Sequence, residues 1–161
     1  MLPDERIGRI MDGIFYGQET SKVDSKGRIA VPAFFRAALG WTREKTVEIC
    51  VCETEGKPAL ELAPTAFVND LVVRLSTPGQ MTEQQRAMVR LMLPRIRRLT
   101  IDEDGRFILP EKFKAHAVLE DQAHFAGMGR TFQIWTPANF AADQDARRAK
   151  RATVEAERER A

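Results

Sequence analysis

Lys22, Lys26 and Arg28 crowd one short stretch of the chain, Lys22-Val23-Asp24-Ser25-Lys26-Gly27-Arg28. A lysine ammonium is a mobile point charge suited to phosphate, whereas the planar arginine fork can donate to guanine O6 and N7 together. Should this stretch meet double-stranded DNA, that chemistry suits Arg28 to a base edge and Lys26 and Lys22 to phosphates. Asp24 is placed to accept backbone N–H bonds across a tight turn and to pair with Arg28, while Gly27 tolerates positive φ. The competing reading is that Asp24 and Arg28 form only a turn-fixing ion pair, which when exposed contributes about 0–1 kcal/mol.

The same turn recurs as Asp102-Glu103-Asp104-Gly105-Arg106, offset by 78 residues from Asp24 to Asp102. Counting formal charges, the stretch from Asp24 to Arg28 carries +1 and that from Asp102 to Arg106 carries −2. Phosphates repel an acidic tip, so Arg106 is expected to pair internally with Asp102, Glu103 or Asp104. The two copies should therefore divide the labour. The first contacts DNA through Arg28, Lys26 and Lys22, and the second keeps the shape for a scaffold or a subunit interface. Asp24, Gly27, Asp102, Gly105 and Arg106 are assigned to turn formation.

The elements that position these turns repeat as well. Val23/Ile101, Pro32/Pro110, Phe35/Phe113 and Arg36/Lys114 correspond, and Pro64/Pro137 and Phe67/Phe140 extend the match at an offset of 73. Self-similarity of this kind signals one supersecondary unit used twice. Each turn is expected to close a local hairpin, with "RIAVP" and "RFILP" as its outgoing strands. Pro32 is expected at the first position of a helix that stops at Gly40, with Phe35 and Leu39 buried together. A second hairpin follows in each copy, then a helix opened in the first copy by Pro64, with Phe67, Leu71 and Leu75 on one face. The unit reads β-β-α-β-β-α.

Between the copies, Thr82 and Gln85 have capping-box spacing ahead of a helix. The stretch from Gln84 to Arg98 carries five arginines and no acid. It either faces phosphates or docks Met88, Leu91 and Met92 on the core with its arginines solvated. The highly charged end of the chain, with few apolar anchors, is expected to be a frayed helix or disordered.

A net charge of +2 over 161 residues declares no global polyanion field, so any nucleic-acid site must be a local patch. No stretch has the length or apolarity of a membrane span or signal-peptide core, and a cytoplasmic location is expected. Cys50 and Cys52 alternate on one strand face, a poor geometry for a mutual disulfide. Neither they nor His116 and His124 have the spacing of a metal site. No nucleophile–base pattern, glycine phosphate cradle or cofactor motif stands out, so neither an enzyme nor a cofactor is expected.

Two copies of Asp-x-x-Gly-Arg followed by a proline, the opening "FYGQETSKVDSKGRIAVPAFFRAAL" and the closing "FAGMGRTFQIWTPANF" together resemble the MraZ family of bacterial regulators. The resemblance covers roughly residues 15–140. Val23 stands where the family usually has leucine, and the segment before Phe15 is longer than usual. The resemblance implies an α+β fold of tandem AbrB-like swapped-hairpin β-barrel repeats with short flanking helices. The expected divisions are an N-terminal extension (1–14), a first SpoVT-AbrB-like domain (15–68), a helical connector (69–93), a second such domain (94–141) and a charged tail (142–161). It also implies a ring-shaped homo-oligomer and a nucleoid-associated, sequence-specific repressor acting on direct repeats upstream of the division and cell-wall gene cluster. The alternative is an oligomeric protein-interaction scaffold without specific DNA binding, favoured by the acidic second tip and the near-neutral total charge.

Overall fold

Both Asp-x-x-Gly turns form, but the strands they join pair elsewhere. In the computed structural model, which describes residues 13–161, Gly27 and Gly105 hold φ at 78° and 75°, a region open to glycine. Strand β1 (Gln18–Lys22) enters the first turn and β2 (Arg28–Ala30) leaves it, linked by the single bridge Val23↔Ile29. β1 instead pairs along its length with β7 (Gln122–Gly127), from Gln18↔Ala126 to Lys22↔Gln122. β2 pairs antiparallel with β6 (Arg106–Ile108), the outgoing strand of the second turn. The local hairpin expected from sequence is thus replaced by an exchange between the two halves. β2 is three residues long, whereas β7 pairs with five residues of β1. Without β1, that edge of β7 would leave a row of backbone donors and acceptors unpaired.

The second hairpin of each half is local, as expected. β3 (Val47–Glu53) pairs with β4 (Leu60–Pro64), and β7 with β8 (Phe132–Trp135). β5 (Arg97–Ile101), which enters the second turn, pairs with β3. The resulting six-stranded sheet has the order β1-β7-β8-β4-β3-β5, beside the two-stranded ribbon β2-β6. Exchanging each strand for its repeat equivalent reverses that order without changing it. The chain therefore carries an internal pseudo-twofold, which passes between the paired residues Glu61 and Gln133. This is the α+β, tandem swapped-hairpin arrangement anticipated above.

Sheet and ribbon enclose one core. Ile29 of β2 and Phe107 of β6 are buried in it, as are Phe35 of α1 (Ala33–Ala38) and Phe113 of α4 (Glu111–His116). Phe15, Phe35 and Phe132 meet with ring centroids 4.9–5.6 Å apart. Burial of each such ring stabilises by roughly 1.5–3 kcal/mol. Leu39 packs at the edge of the same cluster, and Gly40 (φ 73°) follows the helix.

Three local expectations are corrected. Pro32, Pro64 and Pro110 occupy the N-cap rather than the first helical position, with ψ of 141°, 150° and 147°. The ring fixes only φ, which suits a helical and an extended residue alike; with ψ extended each proline stands one residue outside its helix, and the Pro32 carbonyl accepts the first helical bond, from Arg36 N at 2.9 Å. The connector comprises α2 (Thr65–Ser76), α3 (Glu83–Met92) and a 3-10 turn, Leu93–Arg95. The Thr82–Gln85 capping box forms, but α3 is rotated from the expected phase. Val89 is buried, while Met88 and Leu91 are 66% and 62% exposed. Arg86, three residues before Val89 and on the same side of the helix, donates its Nη2 to the carbonyl of Leu75 (3.1 Å), a contact consistent with that phase. The charged end is one continuous helix, α5 (Pro137–Arg160). It is rooted by Lys57 on Asp143 (2.7 Å) and laced by Arg147–Asp143, Arg148–Asp145 and Arg151–Glu155 pairs one turn apart. Most of the extension assigned to residues 1–14 lies outside the described residues. No helix among those described is long and apolar enough to cross a membrane.

Gly127 is where the N-terminal arm comes closest to the sheet. A Cβ there would lie 2.5 Å from the backbone N and Cα of Tyr16, and Gly127 N donates to Gly17 O (2.9 Å). Gly127→Ala should therefore push the arm outward and destabilise by about 1–3 kcal/mol, read as a lower midpoint in chemical denaturation. An unchanged midpoint would show that the arm yields freely.

Candidate nucleic-acid interface

Strand alternation decides what the ribbon shows to solvent. Ile29 and Phe107 point into the core, so Arg28, Ala30, Arg106 and Ile108 share the opposite face. The register sets Arg28 across from Ile108 and Ala30 across from Arg106. The two arginines, far apart in sequence, are therefore diagonal neighbours, about 7–8 Å apart at the backbone. Ile108 beside them is 61% exposed. A two-stranded ribbon is slim enough to enter a DNA major groove.

The first turn is held by Asp24. Its Oδ1 accepts from the backbone N–H of Lys26 (2.9 Å) and Arg28 (2.8 Å), and its Oδ2 accepts from Arg28 Nε at 2.6 Å. The backbone bond from Arg28 does most to hold the Asp24 carboxyl down to about 2, outweighing desolvation, and the Arg28 side chain and the Lys26 N–H reinforce it. The ion pair engages Nε alone. The two terminal nitrogens of Arg28 have no hydrogen-bond partner among the described residues, and the side chain is 34% exposed. Lys26 is exposed at the tip, and exposed Lys22 ends β1 opposite Gln122.

The second turn repeats the backbone scheme and changes the side chain. Asp102 Oδ1 accepts from the N–H of Asp104 (2.9 Å) and Arg106 (3.1 Å). Arg106, however, turns its Nη2 to Asp104 (3.2 Å), and its buried Nε has no partner among the described residues. One terminal nitrogen of its fork is thus already committed. The internal pairing expected for Arg106 is present, with Asp104 as the partner.

Each turn is also backed by a cation from the other half, a feature the sequence did not reveal. Leu109 N donates to Gly27 O (3.2 Å), and Val31 N donates to Gly105 O (2.9 Å). The Lys114 side chain lies 3.9 Å from where a Gly27 Cβ would stand, and Arg36 lies 2.8 Å from the equivalent point at Gly105. Arg36 also donates to Val31 O and stacks over Trp41, whose Nε1 donates to Asp102 O (2.8 Å). It is the aliphatic stem of Lys114 that backs the first turn, its Nζ facing Glu111 (4.0 Å), while the Arg36 guanidinium lies at the acidic second turn and partly offsets it. The equivalence of Arg36 and Lys114 is visible in the repeat, but their crosswise placement follows from the strand exchange. Ala30 and Ile108 were missed for the same reason.

The remaining chemically capable side chains have structural roles. Cys50 and Cys52 are free and buried, and burial raises both thiols away from reactivity. The His124 ring joins Thr20 Oγ1 and Gln18 Oε1, both at 2.8 Å, tying β1 to β7. His116 Nε2 meets the carbonyl oxygens of Thr54 and Lys57 (3.0 and 2.9 Å) under the β3–β4 loop.

Acid should undo the first turn late. The carboxyl of Asp24 is depressed from an ordinary 3.8 to about 2. Its contribution is therefore complete above the ordinary value and is lost as the pH falls through the folded one. The amide resonances of Lys26 and Arg28 should titrate with a midpoint near 2, and a midpoint near the ordinary value would contradict the hydrogen-bonded turn.

Comparison with known proteins follows this geometry. A family model described as "MraZ protein, putative antitoxin-like" matches residues 92–161. A protein of Gluconacetobacter diazotrophicus named transcriptional regulator MraZ is 34% identical over 126 residues, 78% of this chain and 80% of that protein. One of the same name from Gluconobacter oxydans is 31% identical over 142 residues, 88% and 87% of the two chains. Another from Rickettsia akari is 32% identical over 127 residues, 79% and 84%. At that identity and coverage, together with the paired Asp-x-x-Gly-Arg turns, the chain belongs to the MraZ family.

Proposed function

We propose that this chain is a sequence-specific DNA-binding transcriptional regulator that presents the outer face of the β2–β6 ribbon to the major groove. The observation that carries the reading is Arg28. Its Nε is anchored on Asp24, which aims the guanidinium, while both terminal nitrogens stay free for guanine O6 and N7. Exposed Lys26 and Lys22, in the same turn and its incoming strand, add charge for the flanking phosphates. Ala30 and Ile108 give the same face apolar contacts suited to a thymine methyl. Arg106 shares the face, but its pairing with Asp104 makes it the weaker reader, and the acidic tip beside it keeps that end of the ribbon off the phosphates.

The finer reading is a repressor at the nucleoid, bound to direct repeats upstream of the division and cell-wall genes. A ring of identical subunits would present several ribbons to such repeats. Linked engagement raises avidity only where repeat spacing matches ribbon spacing. Inserting half a helical turn between repeats should therefore weaken binding far more than altering one repeat, and equal losses would argue against simultaneous engagement.

Titrations against DNA from upstream of the chain's own coding sequence test the residue roles. Arg28→Ala should lose about 1–3 kcal/mol per repeat engaged, roughly a tenfold to hundredfold weakening each, and relax discrimination at one guanine. Lys26→Ala and Lys22→Ala should weaken all sequences alike and each reduce the salt slope by about one. Arg106→Ala should cost less than Arg28→Ala. Equal losses from the two arginine variants, with oligomers intact, would overturn the division of labour. Salt-insensitive absence of binding would favour a protein-interaction scaffold.

A further inference from the structure

The pseudo-twofold makes one difference between the halves easy to locate. In the β7–β8 register His124 stands opposite Trp135, and in the β3–β4 register Cys50 stands opposite Ala63. Ala63 therefore occupies the place that Trp135 occupies in the second half, an offset of 72 rather than the 73 read from Pro64 and Pro137, because the equivalent helix caps are Pro64 and Thr136. Trp135 is buried and packs against Phe140 of α5 at 6.1 Å between centroids. On the first half no such side chain fills the space, and an open pocket of about 480 Å³ remains between the outer sheet face and helices α2 and α3. Cys50, Cys52, Ala63, Phe67, Leu71 and Met92 form much of its wall. That size and lining fall within the ordinary range of small-ligand sites, about 300–1,000 Å³.

The charged groups at the pocket select the ligand's polarity. Two carboxylates, Glu53 and Glu61, border it, but both are engaged. Glu53 faces Arg95 (3.3 Å) and His116 (3.7 Å), and Glu61 accepts from Thr131 and from Gln133 (2.7 Å). Arg74 also lines the pocket, is exposed, and its side chain has no hydrogen bond or ion pair among the described residues. The uncommitted charge is therefore positive. The Thr54 hydroxyl, buried at the same pocket, has no hydrogen-bond partner among the described residues. Methionine side chains at the pocket, Met81, Met88 and Met92, can adapt to a flexible chain.

We propose that this pocket binds a single-chain, fatty-acid-like carboxylate, its alkyl chain over Ala63 and the two cysteines and its carboxylate on Arg74. The site is separate from the ribbon and does not depend on the DNA-binding reading.

Calorimetric titration of the full chain with dodecanoate, below its micelle concentration, should saturate at one molecule per chain. Arg74→Gln should weaken dodecanoate about tenfold, the scale of one hydrogen bond to a charged group, and leave dodecanol unchanged. Ala63→Trp, which places in the first half the side chain the second half already accommodates, should abolish binding of both. Should that variant fail to fold, thiol protection serves instead. Dodecanoate should slow the reaction of Cys50 and Cys52 with a neutral maleimide in the unmodified protein, and do so less in Arg74→Gln at the same concentration. Absence of saturable binding, or equal dodecanoate affinity in Arg74→Gln, would overturn the proposal. So would an Ala63→Trp protein that changes its oligomeric state while dodecanoate never binds, which would mark the groove as a contact between copies of this chain.

Discussion

The three-residue pairing of β2 with β6 is the constraint on which the rest of the structure depends. Each strand leaves an Asp-x-x-Gly turn, and each is too short to hold its own incoming strand as a hairpin partner. By pairing with each other they force β1 onto β7 and β5 onto β3, and the six-stranded sheet follows with its pseudo-twofold order. The core gains from the exchange, since Ile29 and Phe107 enter it side by side. The outer face gains two arginines that no local folding unit could have placed together. Neither half reaches this arrangement alone, because the first turn, though closed by its own Asp24, is backed by Leu109 on Gly27 and by the Lys114 stem beside it, both from the other half.

Pseudo-symmetry then sets up a controlled comparison within one molecule. Both turns share the same backbone bonds to an aspartate, so shape is common and charge is free to differ. In the first turn the carboxylate that fixes the loop also anchors the arginine through Nε. In the second the arginine leaves Asp102 for Asp104 and gives up a terminal nitrogen. A substitution from lysine to aspartate at the tip, Lys26 against Asp104, thus changes both the local potential and the donors available at the neighbouring arginine. The same logic applies to the outer sheet face, where Ala63 against Trp135 leaves a pocket on one side and a packed ring on the other.

Much of this was legible from residues alone. Asp24 and Gly27 dictate a turn by chemistry that needs no distant partner, and the Thr82–Gln85 capping box is equally local. The repeat itself was readable because Pro, Phe and Gly recur at positions where few alternatives serve. What escaped depends on partners far away in sequence. Whether β1 meets β2 or β7 depends on an edge that would otherwise stay unpaired, and the phase of α3 on contacts with the preceding helix, among them Arg86 on the backbone of Leu75. The proline caps differ from expectation by a single residue, since a fixed φ of about −60° suits both a helical and an extended residue and does not decide on which side of the boundary the ring stands. The tail helix was underestimated because its support is a ladder of ion pairs one turn apart rather than a buried face.

The proposed function requires the outer ribbon face to read guanine in the major groove through Arg28. Dimethyl sulfate protection tests it directly, because the reagent methylates guanine N7 in the major groove and adenine N3 in the minor groove. The account predicts protection of guanine N7 within each repeat by the unmodified protein and its loss in Arg28→Ala at concentrations where DNA remains bound. Protection confined to adenine N3, or guanine protection that survives Arg28→Ala unchanged, would contradict it.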